Sequence, residues 1–116
     1  MDKKVLEQKM SELMDLVPEC EGLIARDLSG NVLVGQTITD MDHKIIAKDC
    51  LAIMKGSNAL GENLGKGQLR TTTIDYENGF AVVSSSDKGI IIALAGLDGK
   101  ASLSLIKRNL IKISNI

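Results

Sequence analysis

Glu21-Gly22-Leu23-Ile24-Ala25-Arg26-Asp27-Leu28-Ser29-Gly30-Asn31-Val32-Leu33-Val34-Gly35-Gln36 reads as a β-hairpin. Glu21–Asp27 and Val32–Gln36 supply two strands, and Leu28-Ser29-Gly30-Asn31 supplies the reversal between them. Glycine and asparagine tolerate the positive φ that a tight turn requires. Upstream, Leu6, Met10, Leu13 and Val17 recur at intervals of four, three and four, which makes one apolar helical stripe. Pro18 has no N–H to continue the ladder, so that helix ends before it. Downstream, Thr39 and Asp40 are the N-cap candidates of a long helix that reaches about Leu64, where Gly65 and Gly67 stop it. Three strands follow, Gln68–Tyr76, Phe80–Ser85 and Ile90–Ala95, with turns at Asn78-Gly79 and Asp87-Lys88-Gly89. A last helix, about Gly99–Ser114, carries Leu103, Ile106, Leu110 and Ile113 on one face. The order is α-ββ-α-βββ-α, an α+β chain that reads as a single domain over residues 1–116.

The strands differ in chemistry. Ile90-Ile91-Ile92-Ala93-Leu94-Ala95 is apolar on both sides, as a central strand covered on both faces would be. Leu69-Arg70-Thr71-Thr72-Thr73-Ile74-Asp75 is polar and rich in threonine, which suits an edge. It has high β propensity and no proline, so it invites pairing with a further strand, for which a second subunit is the natural candidate.

The long helix also has two apolar sectors. Ile46, Cys50, Ile53, Met54, Leu60 and Leu64 are expected against the sheet. Beside them Ile45, Ala52, Gly56 and Ala59 form a ridge of mostly small side chains, which would let another helix approach closely. Away from the apolar arc lie Lys44, Lys48 and Lys55, with Leu51 and Asn58 among them. This is either a solvated face or a docking ridge for an acidic protein surface.

Composition narrows the function. A chain that is 44% hydrophobic and 25% charged has an ordinary globular balance, and its longest apolar run is far short of the roughly 20 residues that span a bilayer. The start, Met1-Asp2-Lys3-Lys4, leads into an amphipathic helix without a signal-peptide pattern, so a cytoplasmic protein with no direct membrane insertion is expected. A net charge of −1 with interspersed signs, and Tyr76 and Phe80 as the two aromatics, leave neither a basic field nor stacking platforms for nucleic acid. Cys20 and Cys50 are isolated thiols that read as small buried hydrophobes, with a disulfide left open.

Catalytic patterns are not found. His43 stands among Asp42 and Lys44 in a first helical turn and reads as solvent-facing. No His, Cys, Asp or Glu group has metal spacing, no cofactor is expected, and Ser84-Ser85-Ser86 has no base near it in sequence and reads as a solvated turn. Gly61-Glu62-Asn63-Leu64-Gly65-Lys66-Gly67 looks like a phosphate loop but fails in detail. Its glycines are one residue too close, Gly67 stands where a magnesium-binding hydroxyl belongs, and the segment runs from helix to strand rather than strand to helix. It is a helix stop.

The arrangement resembles the Roadblock/LC7 family from Met10 to the C-terminus. The hairpin Glu21–Val32 is similar to the family's first hairpin, and the long Ala- and Met-containing helix follows it. Thr73–Val83 and Gly89–Leu94 are similar to the closing meander. The resemblance implies a profilin-like five-stranded antiparallel sheet in the order 2-1-5-4-3, with the first and last helices on one face and the long helix on the other. It further implies a homodimer in which the third strand pairs with its twin and the long helices pack together. Ala52, Gly56, Ala59 and Leu69, Arg70, Thr71, Thr72, Thr73, Ile74 and Asp75 would then form the interface.

The family's members are non-catalytic regulators or scaffolds of Ras-like small GTPases and dynein light chains. The resemblance therefore implies a GTPase-binding surface on the paired long helices, here at Lys44, Lys48, Leu51 and Lys55. Some bacterial relatives stimulate GTP hydrolysis without an arginine finger. The three arginines here, Arg26, Arg70 and Arg108, lie on regular elements rather than on a mobile loop. Two other readings compete: a structural adaptor that binds peptides or other roadblock subunits, and a small-molecule sensor, which would need an internal pocket.

Overall fold

A computed structural model describes every residue, Met1–Ile116. The elements are α1 (Lys3–Leu16), β1 (Cys20–Asp27), β2 (Val32–Thr37), α2 (His43–Asn63), β3 (Thr71–Tyr76), β4 (Gly79–Ser85), β5 (Gly89–Gly96), a 3-10 turn (Leu97–Ser102) and α3 (Leu103–Ser114). The sheet order is β2-β1-β5-β4-β3, and every pair is antiparallel. This is the 2-1-5-4-3 order the resemblance implies, with β5 at the centre and β3 at an edge.

The first turn folds as its residues require. Asp27 accepts hydrogen bonds from Asn31 N at 2.9 Å and Asn31 Nδ2 at 3.1 Å, and Gly30 adopts φ 98°. These bonds hold the Asp27 carboxyl below its ordinary range. Asp2 caps α1 by accepting from Lys4 N and Val5 N.

The long helix starts later than Thr39 or Asp40. Its cap is Asp42, whose carboxylate accepts from Lys44 N at 3.0 Å and Ile45 N at 3.1 Å. Its C-terminus is a Schellman closure: Lys66 N donates to Gly61 O, Gly65 N donates to Glu62 O, and Gly65 takes φ 68°. The phosphate-loop look-alike is therefore a helix stop.

Two apolar layers cover the sheet. On one face, Leu6, Met10 and Leu13 of α1 and Ile106, Leu110 and Ile113 of α3 pack with Leu23, Ala25, Val82, Ile91, Ala93 and Ala95. On the other, Ala47, Cys50 and Met54 of α2 pack with Ile24, Val83, Ile90 and Ile92. Alternation along β1 and β5 sorts neighbouring residues to opposite faces, which explains why the isoleucine run is apolar throughout.

Cys20 and Cys50 are free and lie in different layers, which closes the disulfide question. Burial raises the pKa of both thiols, that of Cys50 to about 11. The serines are not a solvated turn either. Ser84 is buried with its Oγ 3.1 Å from Ser114 Oγ, and Ser86 Oγ donates to Ser114 O, so they fasten the end of α3 to β4.

Candidate functional site: the outer face of α2 and the β3 edge

The side of α2 turned away from the sheet is open. Its N-terminal end shows Ile45, 56% exposed, and its C-terminal end shows Leu60 and Leu64, 58% and 60% exposed. The apolar arc of the sequence places Leu60 and Leu64 against the sheet, and the structure corrects this. The buried contacts of the helix stop at Met54, so its last turns project beyond the packed layer. Between the apolar ends, Ala52, Gly56 and Ala59 are exposed, and a Cβ placed on Gly56 would meet no atom within 4 Å. The ridge is thus unoccupied within the chain, bulky at both ends and low in the middle.

Lys44, Lys48 and Lys55 are exposed along the adjoining flank. None is ion-paired, since the one salt bridge in the chain joins Lys9 to Glu12. Leu51 and Asn58 do not share that flank's exposure. Leu51 is half-buried and packs against the α2 layer, and Asn58 Oδ1 accepts from Leu69 N at 2.7 Å. Asn58 therefore ties the approach to β3 onto α2.

His43 is another departure from the sequence reading. It is half-buried, its Nε2 lies 3.0 Å from Thr37 Oγ1, and its ring occupies the space a Cβ would need at Gly35. Histidine and glycine together seat the start of α2 on β2. No local sequence pattern announces such a pairing, although a glycine inside a strand signals a close approach.

The edge of the sheet is polar. β3 pairs only with β4, from Thr71↔Ser84 to Tyr76↔Gly79. The strand begins at Thr71 rather than Gln68, and Leu69 before it is half-buried against the α2 layer. Arg70, Thr73, Asp75 and Tyr76 are exposed, while Thr71, Thr72 and Ile74 are half-buried. Arg26, by contrast, is buried, with its Nε donating to Asp27 O at 3.1 Å, so it cannot reach a partner.

The largest cleft, about 680 Å³, lies between the C-terminal end of α2 and the start of β3. Ser57, Lys66, Gln68, Arg70, Thr71 and Ser85 line it, and Leu69 is its one hydrophobic residue. It runs along the exposed Gly65–Gln68 segment, unlike the internal pocket a sensor reading would need. No group of three or more His, Cys, Asp or Glu side chains is placed to hold a metal ion. No helix is long and apolar enough to cross a membrane.

A five-stranded 2-1-5-4-3 antiparallel sheet with two helices on one face and one on the other is the profilin-like architecture. Within that class the chain belongs to the Roadblock/LC7 domain family, whose sequence profile matches residues 6–95. Solved structures agree on the fold. A Roadblock/LC7 domain from Streptomyces avermitilis is 16% identical, with a TM-score of 0.79 over 93% of this chain and 90% of that one. MglB of Myxococcus xanthus is 10% identical, with a TM-score of 0.82 over 98% and 85%. The gliding protein MglB of Thermus thermophilus is 15% identical, with a TM-score of 0.75 over 97% and 90%. No curated protein matches the chain.

Proposed function

We propose that residues 1–116 act as one Roadblock/LC7 domain that homodimerises through α2 and β3 and binds a Ras-like small GTPase on the paired helices, without chemistry of its own. The observation that carries this reading is the unfilled ridge of α2. Ile45 stands at one end and Leu60, one turn past Gly56, at the other, with Ala52, Gly56 and Ala59 between them. In an antiparallel pair of such helices, the apolar end of one lies beside the opposite apolar end of the other. The small middle then lets the two backbones approach. Pairing of β3 with its twin would cover the open edge.

The lysine flank is exposed in the single chain. Lys44, Lys48 and Lys55 from each copy, free of internal ion pairs, form the proposed docking surface for an acidic face of the GTPase. Leu51 contributes only the part of its surface that the core leaves uncovered. Ras-like GTPases from the same genome, loaded with GDP or a non-hydrolysable GTP analogue, provide the test. Tighter binding in one nucleotide state supports a regulator. Equal binding in both states supports the adaptor alternative, and no binding to any of them removes the GTPase reading.

A further inference from the structure

We propose that this chain selects a second copy of itself through one strand register, with Thr73 on the two-fold axis of a continuous sheet. The inference rests on the dimer reading above and fixes what that reading leaves open. Ser85 N donates to Arg70 O at 3.0 Å, and the β3–β4 pairs run from Thr71↔Ser84 through Thr73↔Val82 to Tyr76↔Gly79. In an antiparallel ladder the N–H and C=O of one residue point the same way, and successive residues alternate. Arg70, Thr72, Ile74 and Tyr76 therefore turn their backbone groups toward β4. Thr71, Thr73 and Asp75 turn theirs to the free edge.

Symmetry restricts how those edge groups can be used. Two antiparallel copies related by a two-fold axis share both faces of the sheet, so directly opposed residues must have the same parity. One residue then lies opposite itself. With Thr73 in that position, Thr71 meets Asp75 of the second copy, Thr73 meets Thr73, and Asp75 meets Thr71. Every free N–H and C=O of the strand is paired. With Ile74 on the axis, Thr71 is drawn opposite Glu77 in the turn beyond β3. With Thr72 there, Asp75 falls opposite Leu69, which precedes the strand. An axis at Asp75 sets two carboxylates face to face, which opposes association.

Side chains favour the same register. Val83 lies in the α2 layer and is paired with Thr72, so alternation puts Arg70, Ile74 and Tyr76 on the α2 side of the sheet. With Thr73 on the axis, Arg70 stands directly opposite Tyr76 of the second copy, at a non-hydrogen-bonded position where side chains approach most closely. Arg70 has no ion-pair partner in its own chain, and Tyr76 is 54% exposed. A guanidinium over a phenol ring is a favourable pair, and the symmetry supplies it twice.

Thr73→Lys tests the register because an axis at Thr73, at Thr72 or at Ile74 predicts weaker, unchanged or tighter association. With Thr73 on the axis, lysine faces lysine and self-association weakens several-fold by sedimentation equilibrium. Thr73→Glu weakens it as well, and an equimolar mixture of the two variants forms heterodimers tighter than either homodimer. With Ile74 on the axis, the new lysine would face Asp75 of the second copy and tighten the homodimer. That result would overturn the register while leaving a β3-mediated dimer intact. Thr73→Cys supplies a second readout: mild oxidation should cross-link it to itself, whereas Ile74→Cys should not cross-link efficiently, and the reverse pattern contradicts the proposal. Unchanged association of both charged variants overturns the register, because residue 73 then faces Thr71 or β3 lies outside the interface, and a monomeric wild-type chain removes the dimer and the register together.

Discussion

The two faces of the sheet are covered to different degrees. Two helices cover one face, and Leu6, Met10, Ile106 and Leu110 on them are fully buried. One helix covers the other face, burying Ala47, Cys50 and Met54 while leaving Ile45, Leu60 and Leu64 in solvent. The first face carries the larger buried layer, although Leu16 at the end of α1 is as exposed as Ile45. On the second, the inner side of α2 serves folding and its outer side has no partner within the chain, so under the proposed dimer a change on that outer side should leave folding intact and alter association alone.

Substitutions on the two faces should have different consequences. Leu110→Ala empties a fully buried position between α3 and the sheet and should cost about 2–5 kcal/mol. Urea denaturation should show this loss at every protein concentration, and a loss under about 1 kcal/mol would mean that face is less tightly packed than described. Gly56→Leu should behave oppositely. The chain's own fold tolerates it, and helix propensity favours it by about 1 kcal/mol or less, but a leucine on the low middle of the ridge should weaken association about tenfold or more. An unaltered dimer affinity would place the contact elsewhere.

Smaller effects are expected at the flank and in the core of α2. Lys44→Glu with Lys48→Glu should slow GTPase association and weaken it by about tenfold without lowering Tm, since neither lysine has an internal partner. Retained affinity in a binding titration would move the docking surface off this flank.

The pH response of Cys50 has a definite sign. Burial raises its folded pKa to about 11, so the folded state keeps a proton that the unfolded state loses first. The stability it contributes is fully present below the unfolded thiol pKa of roughly 8.5 and declines as pH rises toward 11. Cys50→Ala should flatten that part of the stability profile, and an unchanged slope would show that the thiol titrates alike in the folded and unfolded chain.

Much of the fold is legible in the sequence because its signals are local. The α1 stripe, the α3 stripe, the hairpin glycines and the isoleucine run each carry a period or a turn requirement within a few residues. What the sequence hides depends on distant partners. The start of α2 moves to Asp42 because His43 seats on Gly35 and Thr37 in another strand. Leu60 and Leu64 continue the apolar arc of α2, yet periodicity cannot say where the sheet beneath a helix ends. Leu51 and Asn58 share a sector with the lysines, although the chain turns them toward its own core and toward Leu69. The threonine-rich edge and the small ridge are legible as unusual surfaces, because a strand with no proline and a helix with Ala52, Gly56 and Ala59 in one sector both lack an internal reason.

Sedimentation equilibrium of the wild-type chain beside Thr73→Pro asks whether the free edge of β3 holds two copies together. The Thr73 N–H points to the free edge, so proline there removes no bond within the chain and should leave it folded. The wild-type chain should be a dimer at micromolar concentration and Thr73→Pro a folded monomer. A wild-type monomer, or a Thr73→Pro dimer of undiminished affinity, would contradict this.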